Sequence, residues 1–252
     1  MTKKVIANAF SAAAKLYDRA AAIEQEIGQR LLERLSLVNL TPKHILDLGC
    51  GTGYFTRKLQ KLFPAAYITG IDLAFNMVKF AKLKDDDIYY YCADAEQLPF
   101  ANQTFDLIFS NCCFMYIRDL TNLCAEIHRV IKSDGGLFFS TLGPDSLKEL
   151  AVEAPWLDMH YYGDALLQTQ FRDPVVDVEL IKFYYADSNE LFSDLRETGA
   201  YDIPTDYALD KPELTVTIEA IYGYALGANK LLQQRKDQAG NILIPVESIK
   251  CL

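Results

Sequence analysis

The sequence predicts an α/β fold with a doubly wound sheet, in which helices cover both faces of a central set of β-strands. Three observations predict it: strand and helix signals alternate from residue 44 onward, a glycine-rich turn follows the first strand, and acidic residues lie at the ends of the first three strands. Such alternation is typical of right-handed βαβ units, whose ligands bind at the carboxyl ends of the strands.

The first element is the apolar run at 45–48, which leads into a turn containing Gly49, Gly51 and Gly53. Glycine permits a left-handed backbone and a close approach of the main chain to a ligand. Asp47 precedes the turn and would repel a pyrophosphate, but it suits a ligand that carries an ammonium group. The pattern therefore points to S-adenosylmethionine, which is cationic at its amino group and its sulfonium. At this turn we predict cofactor contacts by Asp47, Gly49, Cys50, Gly51 and Gly53.

The next two strands also end in acids. Asp72 closes the strand at 67–72, about 20 residues after the glycine turn, which is the spacing of an acid that accepts both ribose hydroxyls. Asp94 closes the strand that starts at Tyr89 and is placed to accept a hydrogen bond from the adenine amino group. Each acid alone has the alternative interpretation of a helix N-cap or turn residue. Further predicted cofactor contacts are Leu73, Met77 and Ala95.

The remaining elements alternate along the chain. Helices are predicted at 54–62, where Pro64 stops the helix, at 75–83, and at 120–131, ending at the glycines of Asp134-Gly-Gly136. Strands are predicted at 104–110 and 137–142. A strand at 175–184, a helix at 189–198 and a last strand near 214–224 complete the sheet.

This order divides the chain into five segments. We predict an N-terminal helical arm or lid at 1–43 (two short amphipathic helices or one bent helix), a cofactor-binding core at 44–142, an inserted substrate lid after the fifth strand at 143–174, the remaining strands and helix of the core at 175–232, and a loose tail at 233–252. Within the inserted lid, Trp156 is interpreted as packing rather than a stacking platform. His160 is interpreted as a hydrogen-bonded structural group rather than a general base.

Composition excludes several classes of protein. The chain has 252 residues, half of them hydrophobic, and a net charge of −9, which argues against nucleic-acid binding. No apolar run approaches the ~20 residues of a membrane span, and six cysteines without a C-x-x-C pair are typical of a reduced, cytoplasmic protein. The three histidines are scattered and lack the spacing of metal ligands, so we predict no metal site. Residues 1–43 carry seven Lys or Arg against four acids, a net +3 that is either a solvated helix face or an arm that steers an acidic carrier.

Several motifs resemble known families. Asp47-Leu-Gly-Cys-Gly-Thr-Gly53, Asp72, and the segments at 93–100 and 105–111 resemble Rossmann-like class I S-adenosylmethionine-dependent methyltransferases. The segments at 10–21, 139–150, 158–166, 171–177 and 218–225 are similar to the malonyl-acyl-carrier-protein O-methyltransferase family of biotin synthesis. The resemblance implies methyl-ester formation on the free carboxylate of malonyl-acyl-carrier protein or a related malonyl thioester. Methyl transfer to such a carboxylate needs no general base, because the carboxylate is already ionised at neutral pH.

Two side chains are predicted to be catalytic. Tyr17 belongs to the stripe Phe10, Ala13, Ala14 and Tyr17 at helical spacing, and we expect it to close over the methionine end of the cofactor. Asn111 lies at a strand end near the expected position of the transferred methyl group. Both are also assigned to cofactor binding.

The chain departs from the family pattern at three places. Glu24 stands where the family usually has Gln, Ala151 stands where it often has Arg, and the segment between Gly199 and Thr215 is short. All three bear on acceptor recognition. Two alternatives therefore stay open: a methyltransferase paralogue acting on another small-molecule or quinone-like acceptor, which would need a base such as His160 or a tyrosine, and a non-catalytic methyltransferase-fold assembly protein.

Overall fold

A mixed seven-stranded sheet organises the protein in the computed structural model, which describes residues 2–85, 87–150, 156–201, 213–227 and the short strands at 235–236 and 242–243. The strands run in the order β3-β2-β1-β4-β5-β7-β6. Their bounds are β1 His44–Leu48, β2 Tyr67–Asp72, β3 Tyr89–Cys92, β4 Phe105–Asn111, β5 Ile131–Leu142, β6 Arg172–Tyr185 and β7 Leu214–Leu226. The doubly wound α/β prediction is confirmed.

Helices cover both faces of this sheet, as the alternating pattern predicts. Their bounds are α1 Lys3–Ala13, α2 Tyr17–Ala20, α3 Ala22–Ser36, α4 Tyr54–Leu62, α5 Phe75–Lys84, α6 Leu120–Val130, α7 Met159–Gln168 and α8 Ser188–Glu197. Single 3-10 turns lie at Phe114–Tyr116 and Lys148–Leu150. In the predicted tail, β8 Arg235–Lys236 pairs antiparallel with β9 Ile242–Leu243.

The strand order places one crevice at the centre of the sheet. β1 pairs in parallel with β2 on one side and with β4 on the other, so the chain reverses its winding direction at β1. Ligands of open α/β sheets bind outside the carboxyl ends of the strands at such a switch point. The glycine turn follows β1 directly and therefore lies at this crevice.

Side chains that alternate along the strands form two hydrophobic cores, one on each face of the sheet. On one face Ile45 and Phe109 pack with Ile27, Leu31 and other side chains of α3, α4 and α8. On the other face Leu46 and Ile108 pack with the buried residues of α6 and α7. Each fully buried Leu, Ile or Phe contributes roughly 1.5–3 kcal/mol. Of the predicted N-terminal arm, α3 is thus a core helix, and only α1 and α2 lie apart from the two large cores.

The predicted glycine stop after α6 is wrong. The helix ends at Val130, and Ile131 is already extended and pairs with Phe105 of β4. Gly135 and Gly136 belong to β5, which is irregular between its first and second pairs with β4. A Cβ on Gly135 would lie 2.8 Å from Cγ1 of Ile131 and 3.0 Å from the Asp106 carbonyl oxygen, so this glycine permits close packing rather than a turn.

The last strands also differ from simple βαβ winding. β7 is antiparallel to both β5 and β6, so the sheet is mixed at this edge. α7 lies within the predicted inserted lid, and its Tyr162 and Leu166 are buried in the core that α6 shares. Trp156 packs its ring edge-on against Tyr201 at 6.0 Å between centroids. Ala151 and residues 202–212 lie outside the described residues.

Candidate active site

The turn after β1 has the left-handed backbone that its glycines predict. Gly49, Gly51 and Gly53 have φ angles of +77°, +54° and +76°. The Gly49 and Cys50 amides donate to the Ile71 carbonyl at 2.9 and 2.8 Å, which anchors the turn to β2. A Cβ on Gly49 would lie 2.7 Å from Sγ of Cys113, whereas a Cβ on Gly51 would meet no atom of the described residues within 4 Å. The turn is therefore a cradle with open space above Gly51.

Two adjoining cavities lie at this turn. The larger encloses about 780 Å³ including its open mouth. It is lined by nine of the predicted site residues: Tyr17, Gly49, Gly51, Asp72, Leu73, Met77, Asp94, Ala95 and Asn111. The smaller, of about 410 Å³, shares Tyr17, Gly49, Gly51 and Asn111 with it and adds Asp47 and Cys50. Gly53 lines neither cavity. A Cβ there would lie 2.5 Å from the Tyr90 hydroxyl, so its part is in packing the turn.

Asp72 joins the turn to the larger cavity. Its Oδ2 accepts the Gly51 amide at 2.9 Å, and its Oδ1 accepts the Ala74 amide at 2.7 Å. Burial raises the pKa of Asp72 above its usual value, and these two amide donors oppose that rise. A carboxylate has about four acceptor positions. Two of them hold the backbone, which leaves two for hydroxyl donors of a ligand.

Asp47 is a buried acid that lines the smaller cavity. It is 2% exposed, and its only hydrogen bond among the described residues comes from the Thr56 hydroxyl, at 2.6 Å. Burial raises the pKa of Asp47 to about 7, and the nearby Asp72 charge adds to the rise. A buried carboxylate is stable only when it is paired. The smaller cavity therefore has room and charge for a ligand ammonium group.

Asp94 already has a partner from the N-terminal arm. Lys3 Nζ lies 2.6 Å from Asp94 Oδ2 and 2.5 Å from Glu96 Oε2, and Lys3 itself lines the larger cavity. The sequence marks the arm as basic but does not reveal this pairing. A second arm residue, Arg19, pairs with Glu197 of α8 at 2.6 Å.

Tyr17 and Asn111 both line each of the two cavities. Asn111 is fixed at both ends of its amide: Nδ2 donates to the Glu24 carbonyl at 2.9 Å, and Oδ1 accepts the Ser140 hydroxyl at 2.7 Å. Burial raises the pKa of Tyr17 well above its usual value, so its hydroxyl stays protonated. His160 is exposed and bonded to Asp158, and it lines neither cavity. The arrangement suits an acceptor that is already ionised.

Sequence reasoning named Glu24 only as a departure from the family pattern and missed the polar cluster to which it belongs, beside these residues. Glu24, Cys112, Tyr116 and Tyr201 influence one another's pKa values, and Glu24 and Tyr116 line the cavities. The signal for Glu24 was present, because Glu24, Ile27 and Leu31 share the helical spacing that defines the buried face of α3. No local pattern indicates Tyr201, which reaches the cluster from beyond α8.

We expect cofactor to protect the N-terminal arm from proteolysis, because α1 lines the larger cavity through Lys3, Ile6, Ala7 and Phe10. Limited proteolysis with and without S-adenosylhomocysteine, followed by mass spectrometry, measures cleavage within residues 1–25. Lys3→Ala removes the ion pairs to Asp94 and Glu96 and should speed cleavage of the free protein. Equal cleavage rates with and without the nucleoside would show that α1 is a static packing helix.

Comparison with known proteins gives a consistent family. Residues 46–139 match the model of a methyltransferase domain family. The chain is 34% identical to "Malonyl-[acyl-carrier protein] O-methyltransferase" of Legionella pneumophila, over 97% of this chain and 96% of the relative. It is also 34% identical to "Malonyl-[acyl-carrier protein] O-methyltransferase 1" of Coxiella burnetii, over 98% and 95%.

Solved structures share the fold at low identity. The YcgJ protein of Bacillus subtilis superposes with a TM-score of 0.61 at 14% identity, over 81% of this chain and 99% of that one. Phosphoethanolamine N-methyltransferase 2 of Haemonchus contortus, solved with S-adenosyl-L-methionine, gives 0.55 at 21% identity, over 80% and 52%. In the described part of this chain, no helix is long and apolar enough to cross a membrane, and no three His, Cys, Asp or Glu side chains are grouped as metal ligands.

Proposed function

This chain belongs to the malonyl-[acyl-carrier protein] O-methyltransferase family of S-adenosylmethionine-dependent enzymes, and on that premise we propose that it forms the methyl ester of a malonyl group carried on an acyl carrier protein, a step of biotin synthesis. One observation carries the proposal: identity to relatives of that name extends over nearly the whole of both chains. The similarity therefore includes the arm and the segments after β5, beyond the methyltransferase domain at 46–139.

The residues at the crevice fit the cofactor. The open space above Gly51 admits the ligand, and three acids in or beside the cavities match its donors. Asp72 would accept the ribose hydroxyls, Asp94 the adenine amino group, and Asp47 the ammonium group. When bound, S-adenosylmethionine supplies a sulfonium methyl group as the electrophile. Leu73, Met77 and Ala95 would pack against the nucleoside.

The acceptor needs orientation more than proton transfer. A malonyl carboxylate is ionised at neutral pH, so transfer depends on an in-line approach and on the exclusion of water. Asn111 is held by the Glu24 carbonyl and the Ser140 hydroxyl, which fixes its position at the end of β4. Tyr17 keeps its hydroxyl proton and can donate a hydrogen bond, and with Phe10 it covers the cavity from the arm.

An acidic carrier would meet the positive arm. Lys4 and Lys15 are exposed, whereas Lys3 and Arg19 pair with acids of the same chain. We expect the double variant Lys4→Glu, Lys15→Glu to raise KM for the malonyl carrier several-fold at low salt and to leave KM for malonyl-CoA unchanged. Salt should shrink the difference, because surface charges are screened over ~8–10 Å. The matched control reverses Lys61 of α4 and Lys182 of β6, which are also exposed.

Turnover of methyl-labelled cofactor with malonyl carrier, malonyl-CoA and free malonate, measured side by side, tests the proposed function. The carrier-bound malonyl group is expected to have the highest kcat/KM. Binding of S-adenosylhomocysteine without methylation of any malonyl thioester would contradict it, and a paralogue with another acceptor or a non-catalytic protein would then be the better account. If the Lys4, Lys15 variant changed KM for the malonyl carrier and for malonyl-CoA equally, only the proposed steering of the carrier by the arm would be contradicted, and the proposed reaction would stand.

A further inference from the structure

Glu24 is a buried acid with an unused hydrogen-bonding position. It lies on the core-facing side of α3, is 5% exposed, and lines the smaller cavity together with Tyr17 and Asn111. Its Oε1 is buried and has no hydrogen-bond partner among the described residues. Its backbone carbonyl accepts the Asn111 amide at 2.9 Å, so the side chain starts beside the residue that marks the end of β4.

The groups that face Glu24 are polar but not cationic. Those that interact electrostatically with it come from several elements: Tyr17 of α2, Cys112 after β4, Tyr116 of the 3-10 turn, Tyr185 of β6, Asp194 of α8, and Tyr201. Asp18 and Asp47 line the same cavity. Among the described residues, none of the groups that act on the Glu24 carboxyl is a cation. The Tyr201 hydroxyl is a second buried polar atom for which the described part of the chain offers no partner in good hydrogen-bonding geometry.

This environment favours the neutral acid. An ionised carboxylate buried without a cation is costly, and the neutral form avoids that cost. Burial raises the pKa of Glu24 to about 7; its own backbone amide and the Tyr201 hydroxyl partly offset this rise, and the Asp194 charge adds to it. All the tyrosines of the cluster have raised pKa values and stay neutral. A protonated carboxyl differs from a carboxylate in having an O–H donor.

We propose that Glu24, as the protonated acid, donates a hydrogen bond to the carboxylate of the methyl acceptor and so recognises an anion with a neutral donor instead of a cation. The inference rests on the proposed function and names a residue that determines specificity for it. Acid and carboxylate would share one short, charge-assisted hydrogen bond, the strong class of such bonds. Ionised Glu24 would instead repel the acceptor.

The proton on Glu24 is conserved through the reaction. A carboxylate oxygen of the acceptor forms the new bond to the methyl carbon, the bond from that carbon to sulfur breaks, and the electron pair of the broken bond stays on sulfur. Glu24 binds the other oxygen of the acceptor and keeps its proton throughout. Once the acceptor is a neutral ester, the hydrogen bond loses its charge assistance, which favours release of the product.

The pH dependence of kcat/KM for the malonyl acceptor, at saturating cofactor, tests this role. Wild type is expected to lose activity with rising pH, by about tenfold per pH unit above the pKa, because only the protonated acid binds the acceptor. Glu24→Gln keeps a neutral N–H donor of the same shape, so its kcat/KM should not change with pH in this alkaline range. At pH 9 its kcat/KM should therefore exceed that of wild type. Glu24→Ala should be impaired across the whole range, mainly in KM.

Two controls separate this role from a structural one. Glu26→Gln removes the same charge from another acid of α3, one that pairs with Arg30 at the surface. This variant should keep the wild-type dependence of kcat/KM on pH. Affinity for S-adenosylhomocysteine should be the same in Glu24→Gln as in wild type. An alkaline loss that persists in Glu24→Gln would overturn the inference and leave the proposed function standing. Absence of malonyl turnover in wild type would overturn both.

Discussion

Replacing Asp72 with alanine is expected to weaken binding of S-adenosylhomocysteine by about 2–3 kcal/mol, roughly 30- to 150-fold, because a carboxylate that accepts both ribose hydroxyls makes charge-assisted hydrogen bonds. The same side chain accepts the Gly51 and Ala74 amides, so the variant also loosens the glycine turn. Isothermal titration calorimetry measures the loss. Asp72→Asn keeps one acceptor oxygen and should lose less.

Asp106 provides the matched control for lost backbone contacts. Its carboxylate accepts the Lys43 and His44 amides at 3.0 and 2.8 Å and pairs with Lys132, and it lines neither cavity. Asp106→Ala should therefore lower the melting temperature without changing the affinity for the nucleoside. If Asp72→Ala binds as tightly as wild type, or if Asp106→Ala weakens binding as much, the assignment of Asp72 to the ribose is contradicted.

Cofactor affinity is expected to rise with pH up to about 7, and Asp47 is the reason. Burial raises the pKa of this acid to about 7, whereas a bound ammonium group would lower it. Below pH 7, binding must therefore expel a proton, and affinity should fall by up to about tenfold per pH unit. Above pH 7 the carboxylate is already ionised and the dependence should level off. Calorimetry with S-adenosylhomocysteine between pH 5.5 and 7.5 covers the range.

Asp47→Asn removes the titrating group and the charge. We expect its affinity to be about 1.5–3 kcal/mol weaker than that of wild type at pH 7.5 and to be nearly independent of pH. Glu24→Gln, whose parent acid also has a pKa of about 7 and lines the same cavity, should keep the wild-type slope. If the affinity for S-adenosylhomocysteine still depended on pH in Asp47→Asn but no longer did so in Glu24→Gln, the ammonium group would be assigned to Glu24 instead.

The two acids predict opposite pH effects on two different measurements. Ionisation of Asp47 favours the cofactor, and ionisation of Glu24 disfavours the acceptor. At saturating cofactor only the second effect remains in kcat/KM for the acceptor. At subsaturating cofactor, activity should therefore be highest near pH 7, close to the pKa values of both acids, because lower pH weakens cofactor binding and higher pH weakens acceptor binding.

The crevice could be predicted from the sequence because its signals are local. The three glycines sit within five residues, and Asp47 and Asp72 end neighbouring parallel strands, whose carboxyl ends meet at one edge of the sheet. Most of the nine predicted residues around the larger cavity lie in this turn or at strand ends, whereas Tyr17 was predicted from the apolar stripe of the N-terminal arm. Their roles toward the cofactor stay predictions.

Long-range packing decided what the sequence did not reveal. The contact of Lys3 with Asp94 spans 91 residues, and no local pattern indicates it. The pair Gly135 and Gly136 has the composition of a helix stop, but close packing against Ile131 and pairing with Leu226 of β7 hold it in β5. The antiparallel direction of β7 depends on a chain reversal that local periodicity does not encode. Local sequence places Glu24 on a helix, but its interaction with Tyr116 and Tyr201 depends on long-range packing.

The mass of an intact malonyl carrier after incubation with this protein and S-adenosylmethionine tests the central claim most directly. The account predicts that the carrier gains one methyl group, that fragmentation places this methyl on the malonyl group as its methyl ester, and that Asp72→Ala at the same cofactor concentration produces far less of the ester. A carrier of unchanged mass, under conditions where calorimetry shows the cofactor site to be filled, would contradict it.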